Sequence, residues 1–119
     1  MTAAPALDPA EVARWVPVCD LAALQPERGV AALLDGTQVA IFRLAAGTVA
    51  AIGNRDPFSG ANVLSRGIVG TRGDADVVFS PMYKQAFDLS TGQCLDDPEV
   101  AVPSYPVRVV DDVVHLGVR

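Results

Sequence analysis

From Trp15 onward, Val, Ile, Leu and Ala gather in short runs, each cut off by Gly, Asp, Pro or Asn after about eight to twelve residues. That rhythm is too short for amphipathic helices and predicts an all-β chain. The clearest pair of runs is "GVAALL" and "TQVAIFRL", which flank Asp35-Gly36. A two-residue hairpin turn follows the strand twist when its central residues take positive φ, which Asp and Gly tolerate, so this pair predicts a hairpin. "VAIFRL" and "TVAAIG" meet across Ala45, Ala46 and Gly47 and extend it into a meander. "DADVVFSP", "QAFDL", "YPVRVV" and "VVHLGV" supply the remaining strands, the last two joined by a tight turn at Asp111-Asp112.

Helical signal is confined to the start, where Asp8 stands as a cap, Pro9 at a first helical position and Glu11 three residues after the cap. It predicts two turns at most, with residues 1-7 frayed. Between Gly53 and Gly73 the strand rhythm lapses: "GNRDPFSGANVLSRGIVGTRG" holds only the brief runs "NVLS" and "GIVG". A long irregular insertion of this kind in a small domain is expected to be functional or mobile.

The bulk properties narrow the class. A chain of 119 residues closes one hydrophobic core. Half of it is apolar and its formal net charge is -5, which excludes a disordered acidic tail as the main content. The nine Lys and Arg are scattered, so nucleic acid is not an expected partner. No window approaches the ~20 consecutive apolar residues of a membrane helix. "MTAAPALDPAEVARW" lacks the basic and apolar regions of a signal peptide, so a cytoplasmic location is expected. Cys19 and Cys94 are too few for a disulfide scaffold and are expected as free, small hydrophobic residues.

The irregular segment and the stretch "SPMYKQAFDLSTGQC" together resemble the two cluster-binding loops of Rieske proteins. In that family the first loop carries Cys-x-His and the second Cys-x-x-His, two thiolates on one iron and two imidazoles on the other. Here "NRD" aligns Asn54 with the Cys and Asp56 with the His, and "SPMY" aligns Ser80 with the Cys and Tyr83 with the His. An amide, a carboxylate, a hydroxyl and a phenol do not replace soft thiolates, so a Rieske-like fold without its cluster is expected, and no metal site. The fold class is thus an all-β, Rieske-like antiparallel sandwich or barrel. Its base is drawn from residues 15-53 and 96-119, and residues 54-95 form a small inserted subdomain.

More narrowly, "NRDPFSGANVLSRGIVG" followed by "SPMYKQAFDLSTGQCLDDP" resembles the small subunits of cytoplasmic NAD(P)H-dependent nitrite reductases. The resemblance implies a large partner subunit that carries FAD, a [4Fe-4S] cluster and sirohaem and reduces nitrite to ammonium. It also implies a small chain with no cofactor and no catalytic residue of its own. Asp56, Pro57, Phe58, Tyr83, Lys84 and Gln85 are the candidate docking residues, and hydrogen bonds among Asn54, Asp56, Ser80 and Tyr83 are expected to hold the emptied loops. Two other classes compete: a Rieske-type ferredoxin that carries electrons, and a free-standing binding or regulatory module.

Structural roles stand beside these. Asn54 and Asp56 are turn formers that bond their own backbone. Tyr83 reads as a loop-packing residue, and Lys84 as an ordinary solvated cation. Phe58 either tucks under its loop or projects as an anchor. Cys94, beside Asp96 and Asp97, lacks the positive field of a nucleophile. His115 alternates with apolar residues as a surface or core residue, and Trp15 is expected to seal the edge of the core.

Overall fold

The continuous apolar run Val39-Ala40-Ile41-Phe42 has no polar face because both of its faces are covered. The computed structural model describes residues 9–119. Its strands are β1 (Arg14–Asp20), β2 (Gly29–Leu34), β3 (Thr37–Arg43), β4 (Val49–Gly53) and β5 (Ile68–Arg72), then β6 (Ala75–Phe79), β7 (Ala86–Asp88), β8 (Ser104–Tyr105), β9 (Val107–Val110) and β10 (Val113–Val118). They form three antiparallel sheets, ordered β1-β10-β9, β2-β3-β4-β8 and β5-β6-β7. The all-β, antiparallel expectation is borne out.

Because side chains alternate across a strand, β3 feeds two cores at once, in place of the single core expected from the chain length. Ala40 and Phe42 join Ile52, Leu64, Val78, Phe87 and Leu89 on one face. Val39 and Ile41 join Leu24, Leu34, Ala51, Val114 and Leu116 on the other. The first core binds the β5-β6-β7 sheet and the loops to the middle sheet; the second binds the terminal strands to it.

The predicted turns form as chemistry requires. Asp35 and Gly36 have φ of 51° and 83°, and Asp111 and Asp112 have φ of 51° and 62°. Gly47 closes the β3-β4 connection through its N–H to Leu44 O at 2.8 Å.

Several expectations need correction. The irregular stretch contains a full strand, β5, whose pattern is masked by Gly70: the Phe79 ring lies 3.0 Å from where a Cβ would stand. The N-terminal helix, expected at two turns at most, is as short as predicted: a single 3-10 turn, Pro9–Glu11, ended where Ala13 N–H bonds Val118 O at the start of β1. Asp8 and the expected frayed tail lie outside the described residues. Trp15 does not seal a core: it is half-buried, absent from both clusters, and lies under the Arg108 guanidinium at 4.3 Å. A bulge between Pro17 and Cys19 changes the facing of β1 beyond it, so Val16, Val18 and Cys19 all reach the second core. Cys19 and Cys94 are both free.

Candidate functional site: the two loops

The first loop leaves β4 at Gly53 and the second leaves β6 at Phe79, so the sheets bring Asn54 and Ser80 to the same end of the molecule. Asn54 is buried and anchors the neck of its loop. Its Nδ2 donates to Gln38 Oε1 at 3.0 Å and its Oδ1 accepts from Ser65 N–H at 2.7 Å. Its own carbonyl accepts Leu64 N–H at 3.0 Å. Both ends of the amide are used, which is why the position suits Asn better than an acid or a base.

Asp56 is wholly inaccessible to solvent. Its Oδ1 accepts Phe58 N–H at 2.8 Å in an Asx turn, and its Oδ2 accepts the Ser80 hydroxyl at 2.5 Å. Ser80 Oγ in turn accepts Met82 N–H at 3.2 Å, and its backbone closes the second loop through Gln85 O and Lys84 N–H. One side chain from each loop therefore meets its counterpart. A buried carboxylate with two donors is satisfied; one with none would be costly.

Tyr83 takes no part in this network. It is 58% exposed and no hydrogen bond joins it to Asn54, Asp56 or Ser80, so neither the expected hydrogen bond nor loop packing describes it. Lys84 is exposed with φ at 63°. Phe58 is half-buried and packs on Phe87, ring centroids 6.3 Å apart, which makes it a support beneath the loop rather than a projecting anchor. Asp56 cannot touch a partner. Of the candidate docking residues, Pro57, Tyr83 and Lys84 are exposed; Gln85 is partly covered, and its Oε1 finds no donor among the described residues. Met82, not among the candidate docking residues, is also exposed. Its place in a tight loop after Pro81 was the available signal.

The residues here do not fit a [2Fe-2S] centre. No thiolate or imidazole lies at the four positions, Cys94 is buried in the first core and His115 is in β10, its Nδ1 3.0 Å from Val113 O. The carboxylate that could have been a ligand is already bonded to Ser80 and Phe58.

A family model described as "Rieske-like [2Fe-2S] domain" matches residues 14–117. The nitrite reductase (NADH) small subunit of Escherichia coli K12 is 43% identical over 106 residues, spanning 88% of this chain and 98% of that protein. The chain belongs to the nitrite reductase small-subunit family. Within that family, the solution structure of the Escherichia coli protein NirD superposes with a TM-score of 0.79 at 44% identity, over 87% of this chain and 94% of that one. The Klebsiella oxytoca nitrite reductase [NAD(P)H] large subunit matches as well, 42% identical over 103 residues, 87% of this chain but 11% of that protein. The small-subunit family thus shares the Rieske-like fold, and in this member an Asp-Ser hydrogen bond stands between the loops.

Proposed function

We propose that the chain is a non-catalytic small subunit that docks on a nitrite reductase large subunit in the cytoplasm, with the loop tips as its docking surface. The observation that carries this is the Klebsiella relative, in which a segment similar to this chain lies within a polypeptide named as the large subunit. A covalent tether turns association into an intramolecular event at about millimolar effective concentration, an arrangement that serves two surfaces that have to meet. It supports one small chain per large chain.

On this reading the FAD, [4Fe-4S] cluster and sirohaem implied by the family resemblance belong to the large chain, where nitrite is reduced to ammonium. Among the described residues this chain offers oxygen and amide side chains engaged in hydrogen bonds, and no nucleophile beside a base, so binding is the chemistry left to it. Pro57, Tyr83 and Lys84 present the surface; Asp56, Ser80 and Phe58 hold its shape from beneath. Among the described residues no helix is long and apolar enough to cross a membrane.

The test is anaerobic purification of this chain, an iron assay and visible spectrum, then co-elution with the large subunit on a sizing column. A colourless chain that shifts into the large-subunit peak is the expected result. A brown chain with about two irons would restore the ferredoxin reading.

A further inference from the structure

The loop-tip end differs in charge from the rest of the molecule. The chain's formal net charge is -5, yet residues 54–72 contain Arg55, Arg66 and Arg72 against one carboxylate, and residues 80–87 contain Lys84 and none. That one carboxylate is Asp56, buried and bonded to Ser80 and Phe58. Arg72 stands at the far end of β5, opposite Ala75, and is held by Asp96 at 2.8 Å. The charges the tips show to solvent are therefore Arg55, whose Nε donates to Gly60 O at 3.3 Å, and Lys84. In the neighbouring groove beside Ile68, Arg28 and Arg66 outnumber Glu27.

The acids gather at the other end of the same small sheet. β6 runs from the turn at Gly73 and Asp74 toward Ser80, and β7 runs back from Ala86 to Asp88, so Asp74, Asp76 and Asp88 lie opposite the tips. At about 3.3 Å per residue along β6, Asp88, level with Val77, stands about 10 Å from Ser80, Asp76 about 13 Å and Asp74 about 20 Å. Asp74 lies well beyond the Debye length of about 8–10 Å, so a partner at the tips is screened from that charge.

The cationic end also carries exposed apolar surface. Met82 is 49% exposed and Tyr83 58%, and Ile68, 74% exposed, pairs with Phe79 one residue before the loop. An aromatic and a methionine flanked by cations is the composition of an interface core with a charged rim.

We infer that this end seats on a carboxylate-lined apolar recess of the nitrite reductase large subunit, with Tyr83 and Met82 entering the recess and Lys84 and Arg55 facing its carboxylates. This rests on the docking reading above and adds the chemistry of the partner surface. A second copy of this chain is the poorer occupant, because two identical cationic tips would meet like charge to like.

Binding of the full-length chain to purified large subunit is measured at about 0.05 M and about 0.3 M salt, with melting temperature recorded for every variant. Wild-type binding is expected to weaken as salt rises. Lys84→Glu with Arg55→Glu should slow association about tenfold at low salt and flatten the salt dependence, and Tyr83→Ala should speed dissociation about tenfold. Asp74→Lys, at the acidic end, should bind as wild type does. Lys84→Gln replaces the double reversal if that variant melts early. Salt-sensitive wild-type binding that the reversals leave unchanged would overturn the charge assignment and leave docking intact; so would an effect of Asp74→Lys in their place. No wild-type binding at either salt would overturn both readings. A wild-type dimer that Tyr83→Ala dissociates would assign the surface to a second copy and overturn the inference.

Discussion

Ser80 Oγ donates to Asp56 Oδ2 across 24 residues of sequence, and through that bond the two loops are joined. Both groups are buried, so each depends on the other for its solvation. A double-mutant cycle with Asp56→Ala and Ser80→Ala should give a coupling of about 1.5–3 kcal/mol in denaturant unfolding, the range for a hydrogen bond to a charged group. Strictly additive single effects would show that the bond contributes nothing.

Tyr83 and Phe58, both candidate contact residues from the sequence, should separate cleanly in a melting experiment. Tyr83→Ala removes an exposed ring and should change stability by less than about 0.5 kcal/mol. Phe58→Ala strips a half-buried ring from Phe87 and should cost about 1–3 kcal/mol. Equal losses would mean that Tyr83 packs in solution.

Two glycines share a left-handed backbone and differ in surroundings. Gly36 has φ at +83° with nothing near a Cβ, while Gly92 has φ at +79° and Val102 O 2.0 Å from where its Cβ would be. Gly36→Ala should therefore cost about 1 kcal/mol, from backbone conformation alone, and Gly92→Ala about 3 kcal/mol or more. The "STGQC" turn would be misplaced if the two substitutions cost the same.

The carboxyl of Asp96 is held below the usual carboxylate range, first by the Ala86 N–H it accepts and then by Arg72. A group whose pKa is depressed on folding adds stability above its unfolded pKa, about 3.9, and that contribution is lost as pH falls through the folded value. Asp96→Asn should melt below wild type at pH 7, by the modest amount expected of an exposed pair, and the gap should close in acid below about pH 4. A gap that persists unchanged to lower pH would trace to packing instead of charge.

Thiol labelling should distinguish the cysteines. Burial, with Asp20 second, pushes the Cys19 thiol up, so its alkylation should be slow at neutral pH and accelerate as pH rises. Cys94 lies in the first core and should label only at the rate of unfolding. Prompt labelling of Cys94 in native buffer would mean that this core opens locally.

What the sequence revealed follows the range of the forces involved. The hairpins at Asp35-Gly36 and Asp111-Asp112 were legible because the turn and its strands adjoin. β5 was not, since the contacts that define it, such as Phe79 over Gly70, reach across a ladder. The four ligand positions could be read by alignment, yet nothing local separates Asp56 and Ser80, which turn inward and bond, from Tyr83, which turns out. Trp15 was assigned to the core on size, and the Arg108 side chain that covers it comes from a distant strand. The charge segregation of the loops was missed, because the nine Lys and Arg read as scattered along the chain and the burial of Asp56 shows only in the fold.

With Phe42 and Ile41 on its opposite faces, β3 is a party wall, and neither compartment stands without it. Loosening either side exposes the back of the other, so the two should unfold as a single cooperative unit. The slowest-exchanging amides should then cluster along β3, with protection equal to the global unfolding free energy, while those of the loop tips exchange from the folded molecule.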